Sequence, residues 1–182
     1  MAVIEPRLRD TGQERELLVL QGEFRVSGDP SVVLTTLLGS CVATCLFDPV
    51  ARVGGMNHFL LAAGPEGIAP SERYGFYAME VLINGLLKLG ARKPRMEAKL
   101  FGGATMGGRM GHIGEENGRF ALGFLTAEGI PCRSMSLGGS QARRLRYYPT
   151  TGRVSQRLVD RIDREEVPVR SPRASDVQFF EE

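Results

Sequence analysis

Leu34 to Leu61 reads LTTLLGSCVATCLFDPVARVGGMNHFLL. Two apolar, β-branched runs flank Asp48-Pro49, a dipeptide that ends strands and opens turns, so the stretch reads as a β-hairpin. With the bend centred near Asp48 to Val50, residues whose numbers add to about 99 face each other across the two strands. Cys41 and His58 meet that condition. The hairpin therefore predicts a thiol beside an imidazole, a pairing that yields the nucleophilic thiolate near neutral pH. Gly39-Ser40 bends the chain just before Cys41 and leaves backbone N–H groups available to a substrate oxygen. Thr35, six residues upstream of Cys41, supplies a hydroxyl suited to holding the imidazole in one tautomer. Against this stands the ordinary fate of a free cysteine, which is to pack as a small hydrophobe. Ser40 is the rival nucleophile.

The chain's 182 residues suffice for one domain with a substantial core. The 23 glycines point to many tight turns between short strands. A net charge of +2 offers no global argument for nucleic acid or membrane binding. Twenty of the 23 basic residues are arginine, which suits pairing with carboxylates and equally suits a plain solvated surface. The three cysteines are odd in number, and no secretory leader or long apolar run is visible. These features predict a cytoplasmic protein with reduced thiols. Cys41-x3-Cys45 has no second paired ligand motif, so neither a metal nor a cofactor is expected.

Residues 1–15 read as a loose arm, 16–160 as a single domain and 161–182 as a charged tail. Leu17–Val26 reads as one strand and Ser31–Leu38 as the next. Cys41–Phe47 and Val53–Leu61 form the hairpin, where Gly54-Gly55 suggests a bulge or a close backbone approach. After a Gly- and Pro-bearing loop, Ser71 reads as an N-cap. From Tyr74 to Leu89, with Tyr77, Val81 and Leu82 between, apolar residues at three- and four-residue spacing predict a core-facing helix stopped by Gly90. Met96–Phe101 is a strand leading into Gly102-Gly103 and the glycine-rich ATMGGRMGHIGEENG. That loop lacks phosphate-loop and dinucleotide patterns and reads equally as an active-site wall or a plain surface loop. A second helix is expected over Asn117–Glu128, then strands over Cys132–Leu137, Arg143–Tyr148 and Arg153–Leu158. The order implies a layered α/β domain with mixed, largely antiparallel strand pairing.

Several of these segments together resemble the CheD family of chemoreceptor glutamine deamidases. They are Leu38-Gly39-Ser40-Cys41-Val42-Ala43, the Asp48-Pro49 turn, Gly54-Gly55-Met56-Asn57-His58 and Arg73-Tyr74. Ala98-Lys99-Leu100-Phe101-Gly102-Gly103-Ala104, Ile113-Gly114 with Asn117, and Gly138-Gly139 before Arg143 complete the series. The resemblance spans roughly residues 22–154, and Ala62, Ser136 and Gln141-Ala142 depart from the family pattern. It implies a three-layer α/β sandwich, akin to deamidating toxins, and a catalytic set of Cys41, His58 and Thr35. Gly39 and Ser40 would support the oxyanion, and Gly102, Gly103 and Asn117 are the candidates for the pocket wall. The implied activity is deamidation of glutamine side chains on the cytoplasmic helices of chemotaxis receptors, with hydrolysis of glutamyl methyl esters besides. A CheC-type phosphatase is the implied protein partner. The competing expectation is a binding module that regulates receptors or such a phosphatase without catalysis.

Overall fold

A computed structural model describes residues 3–5, 13–61, 69–105 and 112–160. Most of the N-terminal arm, the loop after Leu61, the centre of the glycine-rich loop and the charged tail lie outside the described residues. The elements are β1 (Val3–Glu5), β2 (Arg15–Leu18), β3 (Phe24–Ser27), β4 (Val32–Leu38), β5 (Val42–Asp48) and β6 (Val53–Asn57). There follow α1 (Ala69–Lys88), a short 3-10 turn (Lys93–Arg95), β7 (Glu97–Gly102) and α2 (Ile113–Ala127). The chain then forms β8 (Cys132–Leu137), β9 (Ala142–Tyr148) and β10 (Arg153–Val159).

The strands make a six-stranded sheet, ordered β1-β3-β6-β5-β7-β8, and a four-stranded sheet, ordered β10-β9-β4-β2. Each is mixed: β1/β3, β7/β8 and β2/β4 pair parallel and the other neighbours antiparallel. The expected layered α/β sandwich is thus built with two sheets, and the larger one is the middle layer. On one face of it Val42, Leu46 and Val53 pack with Met79, Leu82 and Leu86 of α1 and Phe124 and Leu125 of α2. On the other face Ala43, Cys45, Met56 and Phe101 pack with Leu34, Leu38, Leu145 and Tyr147 of the smaller sheet. A strand covered on both faces reads as a nearly unbroken apolar run, which is why Val42–Leu46 shows no polar alternation.

Gly54 and Gly55 are the close approach that the sequence suggested. A Cβ on Gly54 would lie 2.3 Å from the Pro149 carbonyl, and one on Gly55 would lie 2.6 Å from Val26 Cγ1. Helix α1 stops as expected at Gly90, which adopts φ +91°. The Ala91 N–H reaches the Leu86 carbonyl at 3.1 Å and the Gly90 N–H reaches Leu87 at 3.0 Å, the Schellman pattern.

Four expectations need correction. Helix α1 starts at Ala69, so Ser71 lies inside it and is no N-cap. Tyr77, expected in the core, is 63 % exposed, and the buried stripe is Ala78, Met79, Leu82, Ile83 and Leu86. Val3–Glu5, within the expected arm, is a strand paired with β3. Leu17–Val26 is not one strand: Gly22 adopts φ +84°, the Glu23 N–H closes on the Leu20 carbonyl at 2.9 Å, and the chain leaves one sheet for the other. A single glycine inside an apolar run does not declare by itself whether the chain bends there.

Candidate active site

His58 follows β6 and is clamped by the turn between β2 and β3. Its N–H donates to the Glu23 carbonyl at 3.0 Å, and its carbonyl accepts the Gly22 N–H at 2.7 Å. The imidazole points toward the smaller sheet, where Nδ1 lies 2.9 Å from Thr36 Oγ1 and 3.3 Å from the Val19 carbonyl. The Thr36 hydroxyl donates its single proton to the Val19 carbonyl at 2.7 Å. It can therefore only accept from His58, and the Val19 oxygen can only accept as well. Nδ1 must carry the proton. Nε2 is left as a bare lone pair, buried and without a hydrogen-bond partner.

The hydroxyl that orients the ring is Thr36, not Thr35. In a strand adjacent side chains point to opposite faces, and β4 turns Leu34, Thr36 and Leu38 into the inter-sheet space. Thr36 is 2 % exposed; Thr35, on the other face, is half-buried and stands opposite Arg146.

The hairpin register also differs from expectation. Cys45 pairs with Met56, Asp48 with Val53 and Val42 with Phe59, so facing residues add to 101. The turn holds two residues more than the Asp-Pro reading allowed. Cys41 and His58 therefore flank the Val42–Phe59 rung instead of facing each other. They remain on one face of the sheet as diagonal neighbours, a separation of about 7–8 Å between Cα atoms. Cys41 packs against the inter-sheet core, the side on which Met56 and the imidazole lie.

Burial works against the thiolate that the pairing was expected to yield. Burial pushes the Cys41 thiol up to about 11, opposed by its own backbone N–H. Burial pushes His58 down to about 4, against the pull of the Val19 carbonyl and the Glu23 charge. Burial therefore favours the neutral thiol and the neutral imidazole at rest, since it penalises the charged form of each.

Gly102, Gly103 and Asn117 hold the site from behind. Gly102 has φ +112°, and a Cβ there would meet the Cys41 carbonyl at 2.1 Å. The Gly103 N–H donates to the Cys41 carbonyl at 2.8 Å, and Ala104 N–H donates to the Gly39 carbonyl at 2.9 Å. Fully buried Asn117 donates from Nδ2 to the Ser40 carbonyl at 2.9 Å and accepts the Leu61 N–H at 2.7 Å. It ties the loop bearing the thiol to the strand bearing the imidazole. None of the three lines the adjacent cleft of about 290 Å³, whose walls include Glu23, Asn57, His58, Tyr74, Tyr77 and Lys88. Tyr74 is pushed above the ordinary phenol range by burial and by the neighbouring Cys41.

Sequence reasoning missed Thr36, the Val19 carbonyl and the turn at Gln21-Gly22. The Thr35-Thr36 pair carried a usable signal: Leu34 and Leu38 share parity with Thr36. Among the described residues no group of three or more His, Cys, Asp or Glu stands close enough to hold a metal ion, and all three cysteines are free.

A thiol, a singly oriented basic nitrogen and a hydroxyl behind it suit nucleophilic acyl transfer, the chemistry of cysteine-dependent hydrolases. The family described as CheD chemotactic sensory transduction matches residues 63–158. A probable chemoreceptor glutamine deamidase CheD of Cereibacter sphaeroides is 47 % identical over 179 residues, covering 95 % of this chain and 89 % of that protein. The protein of the same name from Rhizobium rhizogenes is 49 % identical, covering 91 % of this chain and 96 % of the relative. Its namesake from Rhizobium johnstonii is 53 % identical, covering 80 % of each chain. The chain belongs to the CheD family. Among solved structures, the hypothetical protein YfiH of Bacillus licheniformis matches 76 % of this chain and 62 % of its own at a TM-score of 0.42 and 14 % identity.

Proposed function

We propose that this chain is a protein-glutamine deamidase acting on chemotaxis receptors, with Cys41 as nucleophile, His58 as general base and acid, and Thr36 as the group that orients His58. The observation that carries the reading is the fixed tautomer: Nδ1–H is held by two acceptors, and Nε2 is a free base on the face where Cys41 lies. The curated relatives supply the substrate, since their names are those of probable chemoreceptor glutamine deamidases.

In the reaction, Sγ attacks the side-chain carbonyl carbon of a receptor glutamine while Nε2 takes the thiol proton. Burial disfavours the thiolate and the imidazolium alike, so an ion pair formed ahead of attack is unfavourable. Proton transfer is therefore coupled to attack, when the imidazolium forms beside developing negative charge. Backbone N–H groups around Gly39, Ser40 and Cys41 face that oxyanion. His58 then protonates the departing ammonia. Water, deprotonated by His58, opens the thioester to glutamate and free thiol. Glutamyl methyl esters follow the same course with methanol as leaving group.

The reaction takes place in the cytoplasm, where the receptor helices are, and a CheC-type phosphatase is the second partner. Among the described residues no helix is long and apolar enough to cross a membrane. Phe76 and Tyr77, 47 % and 63 % exposed on α1, favour a second, docking role for this side of the molecule. One assay separates the roles: a receptor cytoplasmic fragment is incubated with the protein and its glutamine peptides are read by mass spectrometry. Conversion of glutamine to glutamate, with ammonia release, is expected for the native chain and not for Cys41→Ala. Binding of the fragment without conversion would leave docking alone.

A further inference from the structure

The sulfur of Cys41 is not idle in the ligand-free molecule. Its S–H donates to Oε1 of Gln21 at 3.4 Å, a side-chain carboxamide of this chain's own. Gln21 is an exposed residue, and nothing in its burial draws it inward. The turn does: the Glu23 N–H closes on Leu20 at 2.9 Å, the Gly22 N–H is held by the His58 carbonyl at 2.7 Å, and Gly22 at φ +84° gives the bend its sense. Gln21 and Gly22 are the central residues of that bend. Tyr74 closes the same corner, with its hydroxyl 3.3 Å from where a Cβ on Gly22 would stand. A glutamine is thus presented at the thiol by a turn anchored to the backbone of His58.

We infer that Gln21 is a resident pseudosubstrate: its carboxamide holds the place beside Cys41 that a substrate glutamine must take, and substrate binds by displacing it. This rests on the deamidase reading for the identity of the displaced group. The contact is a hydrogen bond to the amide oxygen, so the thiol proton is directed at Gln21 and not at His58, and the pair stays parked. Entry of substrate turns the S–H away from Gln21 and toward Nε2. A site occupied in this way binds its ligand less tightly, in proportion to the fraction of molecules in which it is open. Gln21 is accordingly a positioning residue, which acts through the thiol and contributes no group to the chemistry.

The test uses the full chain and two readouts. Alkylation of Cys41 by iodoacetamide, followed by peptide mass spectrometry, reports access to the thiol without any receptor. Gln21→Ala and Gln21→Asn, the second keeping an amide too short to reach, should both react about three- to tenfold faster than the native chain. Gln21→Glu should react more slowly, because a carboxylate beside the sulfur disfavours the thiolate. On a receptor fragment, Gln21→Ala should lower KM by a similar factor with kcat within about twofold of native. Alkylation at the native rate in both shortened variants would overturn the proposal, as would a fall in kcat with KM unchanged. Conversion of Gln21 itself to glutamate in the native chain, absent in Cys41→Ala, would also overturn it, since the side chain would then be a substrate. Faster alkylation with no receptor deamidation by any variant would leave the cap standing and remove the deamidase reading instead.

Discussion

The two ends of the β5–β6 hairpin treat their polar groups in opposite ways. At the turn, the Asp48 side chain is fully buried and saturated. Oδ1 accepts the Val50 and Ala51 N–H groups at 2.9 and 3.0 Å, and Oδ2 accepts the Arg92 N–H at 2.8 Å and two Arg95 donors at 2.9 and 2.7 Å. Burial alone would raise this carboxyl, but those donors hold it at about 2. At the other end His58 is also buried, beside the cleft, yet Nε2 has no partner within the protein. A buried group left unpaired costs on the order of 1–3 kcal/mol. One end is built for stability, and the other retains a destabilising feature that serves only if a proton arrives there.

The largest effects are expected at the open end. Cys41→Ala or His58→Ala should lower deamidation by at least about a thousandfold while the thermal midpoint moves little. Substantial turnover in either variant would end the assignment. At the closed end, Asp48→Ala should destabilise by about 3 kcal/mol in urea unfolding, since it strands a partly buried arginine and several N–H groups. Its kcat should be retained below the melting range; loss of activity in folded protein would show that the two ends are not independent.

Thr36→Val should reduce kcat about ten- to a hundredfold by freeing the imidazole to turn, with Thr35→Val within about twofold of native. The reverse ranking would restore Thr35 to the site.

Acid acts on both ends. His58 titrates at about 4 when folded and near its ordinary 6.5 when unfolded, so the neutral base is present above pH 4. The acid limb of kcat/KM should fall near pH 4, and a limb near 6.5 would contradict the burial argument. Stability from neutral His58 is complete above about 6.5 and drains as pH falls toward 4, because the unfolded chain then binds the extra proton. Asp48 also has a depressed value, so its contribution is intact above its ordinary 3.8 and is lost as pH falls through about 2. Acid unfolding should show both phases in the native chain, and Asp48→Asn should lose the lower one. The smallest effect is expected at Cys45. Buried among Leu34, Met56 and Tyr147, it serves as packing, and Cys45→Ser should cost about 1–2 kcal/mol without loss of activity.

Much of the hairpin is legible in the amino-acid sequence alone. The Asp48-Pro49 break and its apolar flanks announced a hairpin, Gly54-Gly55 announced a close approach, and the rarity of histidine narrowed the base to two positions. Local chemistry sufficed there, because turn propensity and apolar runs act over a few residues. What the sequence left open were matters of phase. A register two residues off, or a parity of one along β4, changes which side chains meet while hardly altering the pattern of apolar residues. Leu17–Val26 was ambiguous in the same way, since whether Gly22 bends or extends depends on His58, which lies far along the chain.

The order of elements and their periodicity already carry a layered α/β domain, the hairpin and the residue types at its open end. The three-dimensional packing alone sets Thr36 against the ring, favours the uncharged thiol and imidazole, and brings Gln21 to the sulfur. Each of those depends on groups from separate strands and turns converging, where register sets which side chains meet and burial sets which charge state is favoured.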